Sequence, residues 1–163
     1  MIVVTVGNDP RDFSRLVKKA DEIAPRVPSE IVIQKGYSSY RPKNTKYFDF
    51  VPINTAKKQI KNSELVISHA GIGTIILCKE HGIPLIILPR RKKYGEHMND
   101  HQMEIAQMLA KRREKNIHVI YAEEKLEEKI HEVLKAKRKN RTPIQNVGKA
   151  SLIRKIREFI NLG

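Results

Sequence analysis

The sequence is poor in the residues that build disulfide-rich, base-stacking or membrane-spanning proteins. Its 163 residues include one cysteine, Cys78, and no tryptophan, and aromatic residues make up 6% of the chain. A single cysteine excludes an internal disulfide framework and favours a reducing compartment. No stretch approaches 18 uninterrupted apolar residues and no signal peptide opens the sequence, so we expect a cytoplasmic protein with its own hydrophobic core.

Positive charge, by contrast, is abundant. The chain has 32 Lys and Arg residues against 18 Asp and Glu residues, a formal net charge of +14. Residues 131–163 alone carry nine basic residues and two acidic ones. Such a surplus predicts an anionic partner, which composition leaves open as a phosphate, a nucleic acid, an acidic protein or an acidic membrane surface. A solvated helix face followed by a charged tail explains the basic run equally well.

Short apolar segments alternate with segments of helical periodicity. The predicted strands cover residues 2–6, 30–34, 46–51, 65–68, 85–88 and 117–121, and the predicted helices cover 13–23, 53–61, 73–80, 99–112, 123–136 and 151–160. β-Branched apolar strands that alternate with helices are typical of a parallel sheet covered on both faces. We therefore predict an α/β fold, a doubly wound parallel sheet in residues 1–136, followed by a basic linker and a C-terminal helical extension in residues 137–163.

Three polar segments follow predicted strands, where ligands of doubly wound sheets bind. They are "GNDP" (7–10), "SHAGIGT" (68–74) and "PRRKKYGEHMNDHQ" (89–102). In the second segment, glycines let the backbone approach a ligand, and the start of a helix offers N–H groups with partial positive charge, which suits a diphosphate. Neither GxGxxG nor GxxxxGK[ST] is present, which disfavours an NAD site or a P-loop. The alternative interpretation is a plain strand-to-helix turn, in which Thr74 caps the helix.

The third segment combines charge with a helix start. Residues 90–93 are all basic and follow a strand end, so we expect them to neutralise a phosphate or steer an acidic partner, unless they are a solvated loop. Asn99 and Gln102 have the spacing of a capping box for the next helix.

Metal and hydrolase sites are disfavoured. His97, Asp100 and His101 resemble metal ligands, but they lack the i, i+4 histidine pair of a helical zinc site, and no cysteine pair exists. No GxSxG motif and no pair of carboxylates stands out for hydrolysis. We predict a protein without a bound metal or cofactor.

The segments taken together resemble one known family. In order, "MIVVTVG", "IVIQKGYSSYRPKN", "SHAGIGT" and "GIPLIILPRRKKYGEHMNDHQMEIA" resemble the C-terminal, donor-binding half of family 28 glycosyltransferases. The resemblance covers about residues 1–135 and is strongest to the family's single-domain members, such as the catalytic subunit of the dolichol-linked GlcNAc transferase and small exopolysaccharide glycosyltransferase subunits. It implies one Rossmann-like half of a GT-B fold that binds a UDP-sugar and transfers GlcNAc or galactose without a metal ion.

The resemblance also implies which residues bind the donor. The backbone at Phe50 and Val51 would face the uracil, residues 68–74 would hold the diphosphate, and Gln102 and Glu104 would reach the sugar hydroxyls. The full implied set is Gly7, Asn8, Phe50, Val51, Ser68, His69, Ala70, Gly71, Gly73, Thr74, Pro89, Arg90, His101, Gln102 and Glu104. The catalytic base stays unassigned.

The sequence departs from the family pattern at two places. Leu77 stands where relatives often carry a ribose-binding glutamate, with Glu80 nearly one turn further on, and Asn8-Asp9 replaces a pair of threonines after Gly7. A non-catalytic regulatory subunit with a degenerate donor site is therefore one alternative. A basic nucleic-acid-binding protein is another, although no aromatic ladder supports it and we disfavour a nucleic-acid partner.

A complete GT-B enzyme has two such halves. The resemblance therefore implies a membrane-anchored partner subunit that binds a lipid-linked or polysaccharide acceptor. We expect recruitment to the cytoplasmic face of a membrane. The predicted helix over 151–160, with its basic flanks, would contact that partner or an acidic membrane surface, unless it packs on its own domain.

Overall fold

A computed structural model describes residues 1–139 and Arg154. Six parallel strands form one sheet in the order β3-β2-β1-β4-β5-β6. The strands are β1 Ile2–Thr5, β2 Ile31–Gln34, β3 Lys46–Phe48, β4 Leu65–Ser68, β5 Leu85–Ile87 and β6 Ile117–Val119. The direction of winding reverses between β1 and β4, which creates a crevice at their carboxyl ends.

Helices cover both faces of the sheet. They are α1 Ser14–Ile23, α2 Ile53–Lys61, α3 Ile72–His81, α4 His101–Arg112 and α5 Leu126–Lys139. One core cluster lies between the sheet, α1 and α5, and a second lies between the sheet and α2, α3 and α4. Neighbouring residues of β1 contribute to opposite clusters, Val3 to one and Val4 to the other, which explains the continuous apolar run. The predicted doubly wound α/β fold is confirmed.

Several strands end earlier than predicted, because the chain leaves the ladder to form loops at the carboxyl edge. β1 stops at Thr5, and Gly7 then adopts a left-handed conformation with φ +74°. β3 stops at Phe48, and the carbonyl of Asp49 accepts the Gly36 N–H at 3.2 Å. The predicted helix 53–61 and strand 65–68 match the structure residue for residue.

The predicted capping box is wrong. Helix α4 begins at His101, its N-cap residue Asp100 makes no side-chain cap hydrogen bond, and Oδ1 of Asn99 accepts the His101 N–H at 3.2 Å. The Gln102 side chain instead accepts the backbone N–H of Arg90 at 3.1 Å.

The end of the described chain also differs from the sequence prediction. The predicted helix 123–136 divides into a 3-10 turn, Glu123–Lys125, and α5, which continues to Lys139 across the predicted domain boundary. The predicted helical extension over 151–160 lies outside the described residues except for Arg154. In the described part of the chain, no helix is long and apolar enough to cross a membrane.

Candidate functional site

A cleft of about 690 Å³ opens at the carboxyl ends of the central strands, between α2 and α3. It is larger than a hollow of about 360 Å³ beside Pro28, ahead of β2. The predicted donor-binding residues that line the cleft are Gly7, Asn8, Phe50, Val51, His69, Gly71, Gly73 and Thr74. Two more predicted residues, Ser68 and Ala70, are buried beside it. The structure thus brings together most of the set named from the sequence.

The ends of three neighbouring strands form the floor of the cleft. Thr5 pairs in register with Gln34 on one side and Ser68 on the other. The Ser68 hydroxyl donates to the Thr5 carbonyl at 3.1 Å, and the Thr5 hydroxyl donates to Oε1 of Gln34. Since every side-chain hydroxyl here has a partner, the floor is a fixed polar surface.

The imidazole of His69 lies between two glycine backbones. A Cβ added to Gly7 would lie 2.5 Å from Cε1 of His69, and one added to Gly71 would lie 2.3 Å from its Nε2. The ring also meets the Ser68 hydroxyl, with Nδ1 at 3.2 Å from Oγ. Burial, and next the positive charge of Arg90, lower the pKa of His69 to about 4. The cleft therefore holds a neutral imidazole at physiological pH.

Helix α3 points its amino terminus into the cleft. Its N-cap residue is Gly71, and no side chain caps it. The alternative interpretation of the sequence, in which Thr74 caps the helix, is therefore wrong. The first intrahelical bond runs from the Ile75 N–H to the Gly71 carbonyl at 3.1 Å, which leaves the preceding N–H groups for a ligand. Gly73 and Thr74 line the cleft at this point, and nothing lies within 4 Å of a Cβ added to Gly73. This is the geometry of an anion-binding helix terminus.

An aromatic pair stands at the β3 side of the cleft. The rings of Tyr37 and Phe50 meet edge to face with centroids 4.9 Å apart. Both rings stay largely exposed, at 56% and 45%. Together with Val51 and Ile53 in the lining, they give this edge an apolar character that suits a planar base.

The far end of the cleft is charged. Leu77 and Glu80 of α3 both line it, opposite Lys57 and Lys61 of α2. Glu80 is the one carboxylate among the described residues that line the cleft. Leu77 departs from the expected glutamate, but the cleft still contains a carboxylate, that of Glu80, about one turn further along α3.

Arg90, which the sequence predicted to contact a phosphate, is fully buried and lies outside the cleft lining. The side chain is 0% exposed, and its guanidinium donates to the carbonyls of Val6 at 2.9 Å, Arg11 at 3.0 Å and Glu96 at 3.0 Å. It also stacks on the Phe13 ring, 4.6 Å from the centroid. Arg90 therefore links the loop after β1 to the loop after β5 through these hydrogen bonds and does not face the cleft.

A buried ion pair between Arg15 and Glu96 also holds the loop after β5 in place. Arg15 donates to both carboxylate oxygens of Glu96 at 2.8 and 2.9 Å, and to the Pro89 carbonyl at 3.1 Å. The two charged side chains are only 13% and 5% exposed. Pro89, predicted to bind the donor, is thus a buried backbone acceptor outside the cleft lining.

Three further predicted residues, at the start of α4, lie outside the cleft lining. Gln102 is 7% exposed and accepts from Arg90, whereas the Glu104 side chain is 55% exposed and lies 2.9 Å from Nδ1 of His101. Gln102 is thus held by the loop after β5, and none of the three side chains lines the cleft.

The superficial metal-ligand set does not converge. Nδ1 of His97 lies 2.9 Å from Oδ1 of Asn99, and His101 is paired with Glu104. Within residues 1–139 and Arg154, no three His, Cys, Asp or Glu side chains cluster as metal ligands. The absence of a metal requirement stays a prediction.

Comparison with known proteins now identifies the family. The model of the glycosyltransferase family 28 C-terminal domain matches residues 1–159. The chain belongs to this family. Among curated relatives, the UDP-N-acetylglucosamine transferase subunit ALG13 of Candida albicans is 35% identical over 77 residues, 47% of this chain and 25% of that protein. The human protein of the same name is 40% identical over 58 residues, 36% of this chain and 5% of that protein.

Solved structures show the same half of the GT-B fold. The spinosyn forosaminyltransferase SpnP superposes with a TM-score of 0.61 at 20% identity, over 96% of this chain and 39% of that one. At this identity the likeness shows the fold alone. The chain spans a quarter or less of the curated relatives' length and about two-fifths of this structural neighbour.

Proposed function

We propose that this family 28 domain is the donor-binding subunit of a UDP-sugar-dependent hexosyltransferase, with UDP-GlcNAc as its donor. The observation that carries the proposal is the cleft at the switch point, where the uncapped terminus of α3 meets Gly7 and Asn8. The names of the relatives support the choice of UDP-GlcNAc.

The reaction is a displacement at the anomeric carbon of the sugar. A hydroxyl oxygen of the acceptor bonds to C1, the bond from C1 to the diphosphate oxygen breaks, and UDP leaves with the electron pair. The hydroxyl proton passes to a base that we place on the partner subunit. The N–H groups around Gly71 and Gly73 would stabilise the charge that grows on the leaving diphosphate, which is the task we propose in place of a metal ion.

The nucleoside would lie along the β3 side of the cleft. Phe50 and Val51 would present backbone and apolar surface to the uracil. We propose that Glu80 takes the ribose hydroxyls, since a carboxylate accepts two hydrogen bonds from neighbouring hydroxyls and Leu77 accepts none. Gln102 and Glu104 stay the proposed contacts to the sugar, reached from the rim of the cleft.

A second subunit would complete the enzyme. We propose a membrane-anchored partner that binds a lipid-linked or polysaccharide acceptor and recruits this chain to the cytoplasmic face of the membrane. The proposal is supported by the word "subunit" in the relatives' names and by the one GT-B half that this chain matches. Leu77 favours one second candidate, a regulatory subunit that keeps the fold and has lost the donor.

A thermal-shift titration of the full chain tests the donor. A ligand at a hundred times its dissociation constant stabilises the folded state by about 2.7 kcal/mol, which raises the melting temperature by several degrees. UDP-GlcNAc should stabilise the chain more than ADP or a short RNA does, and UDP-galactose is the comparison that tests the sugar. Equal shifts with UDP-GlcNAc and ADP would contradict the proposal, and stabilisation by RNA alone would favour a nucleic-acid binder. No shift with any nucleotide, also with the partner present, would favour the degenerate subunit.

A further inference from the structure

Gln34 joins the loop after β1 to the loop after β3, and each of these loops forms part of the cleft wall. Its Nε2 donates to the Gly7 carbonyl at 3.1 Å and to the Asp49 carbonyl at 3.2 Å. Its Oε1 accepts the hydroxyl of Thr5, which itself accepts the Gly7 N–H at 3.3 Å. The side chain is 8% exposed and lines the cleft floor. One amide therefore uses both of its N–H groups and its oxygen to connect the β1 and β3 segments beside the cleft.

The two carbonyls that Gln34 holds belong to the segments on which the donor would rest. Gly7 precedes Asn8 on the β1 side, and Asp49 directly precedes Phe50 and Val51 on the β3 side. Neither segment belongs to a strand or helix, because β1 ends at Thr5 and β3 ends at Phe48. The Asp49 carbonyl has one further donor, the Gly36 N–H at 3.2 Å. The spacing of the two walls thus depends on a few side-chain and loop bonds.

We propose that Gln34 is a positioning residue for nucleoside recognition, which sets the distance between the Gly7 wall and the Asp49–Val51 wall. The proposal rests on the proposed donor site, because it assigns the β3 wall to the base. Gln34 acts through these backbones, since its own amide is already fully engaged. Loss of the amide lets the β3 wall shift, so the chain distinguishes bases less well while pyrophosphate binding at α3 persists.

Two variants separate the parts of this interaction. Gln34→Glu keeps the shape and the acceptor for Thr5, but replaces the donor to both carbonyls with an oxygen that repels them. Gln34→Met keeps the approximate length and removes all three hydrogen bonds. Asp21→Asn is the matched control, because Asp21 is also buried, accepts the backbone N–H groups of Lys43 and Asn44, and lies outside the cleft lining.

The test measures dissociation constants of UDP, CDP and pyrophosphate by titration calorimetry, with melting temperatures for each variant. We expect both Gln34 variants to lose about tenfold or more in UDP affinity, while pyrophosphate affinity changes less than threefold, so that the preference for UDP over CDP shrinks. Asp21→Asn should lower the melting temperature and leave that preference unchanged.

The outcomes distinguish this proposal from the one on which it rests. If the wild-type chain prefers UDP and both Gln34 variants keep that preference, the positioning role is wrong and the donor site stands. If UDP and pyrophosphate affinities fall by the same factor, or if Asp21→Asn reduces the preference equally, the role of Gln34 is general stability and the proposal is wrong. A wild-type chain that binds UDP no better than CDP or ADP overturns both proposals.

Discussion

A Cβ placed on Gly71 would lie 2.3 Å from Nε2 of His69, closer than two such atoms approach in folded proteins. The glycine is the N-cap of α3, and its φ of −80° is open to any residue, so space and not backbone conformation requires glycine here. Gly73 lies two residues on, in the first turn, and has no atom within 4 Å of an added Cβ. The two glycines of the 68–74 segment therefore have different reasons to be there.

Gly71→Ala should be far more damaging than Gly73→Ala. The clash with His69 should lower the free energy of unfolding by about 1–3 kcal/mol, the usual result of overpacking, and should displace the terminus of α3. Gly73→Ala should leave stability unchanged or raise it by up to about 1 kcal/mol, because alanine favours a helix. Urea denaturation of both variants measures the difference. Equal costs would show that the His69 ring yields easily.

His69 should make the chain less stable in acid. Its pKa of about 4 in the folded chain lies below the 6.5 of an unperturbed histidine, so the unfolded state takes up the proton first. The stabilisation present above pH 6.5 should therefore decline as the pH falls towards 4, by up to about 3 kcal/mol. His69→Gln removes this titration. Burial also lowers the pKa of His118, but His118 is present in both proteins, so its effect cancels in the comparison. The difference in unfolding free energy between the two proteins, measured from pH 8 to 4, should shrink with acid; a constant difference would contradict the neutral imidazole.

Removing one member of the buried Arg15–Glu96 ion pair should strongly destabilise the fold. Glu96→Gln leaves the guanidinium of Arg15 buried with one fewer charged partner, and removing one member of a buried pair costs about 3–5 kcal/mol. The control is Glu22→Gln, whose pair with Lys18 is 46% and 62% exposed and should contribute less than about 0.5 kcal/mol. Chemical denaturation compares the two variants. A Glu96→Gln cost as small as the control would show that the loop after β5 does not depend on this pair.

Glu80 should distinguish ribose from deoxyribose. Glu80→Gln should reduce the preference for UDP over 2′-deoxy-UDP, because the amide offers one acceptor oxygen in place of two. Lys61→Gln, in the opposite wall of the cleft, serves as the control for a simple change of charge. Competition binding with the two nucleotides gives the preference directly. An unchanged preference in Glu80→Gln would mean that the ribose hydroxyls lie elsewhere.

The sequence predicted the parts of the molecule that depend on local pattern. Strand β4 and helix α2 match residue for residue because apolar periodicity and turn residues bound them on both sides. The glycine loop after β4 was also placed correctly, because the end of a parallel strand fixes which edge of the sheet its loop occupies.

The residues that the sequence analysis misjudged or overlooked are those whose contacts come from distant parts of the chain. Arg90 was interpreted as an exposed cation, yet its partners Val6 and Phe13 lie more than 75 positions earlier. Gln34 lies in a segment that resembles the family but was given no role, and its importance follows from the register that sets Thr5 beside it. Gln102 resembled half of a capping box, but the burial of Arg90 brings a backbone N–H to its side chain. Only the assembled sheet supplies these contacts.

The most direct test of the donor site is titration calorimetry of UDP and ADP against the wild-type chain, Gly71→Ala and Glu22→Gln. The account predicts that the wild-type chain binds UDP at least about tenfold more tightly than ADP, that Gly71→Ala loses most of this binding, and that Glu22→Gln, outside the cleft lining, retains it. Equal binding of UDP and ADP, or UDP binding that survives in Gly71→Ala, would contradict a donor diphosphate held at the start of α3.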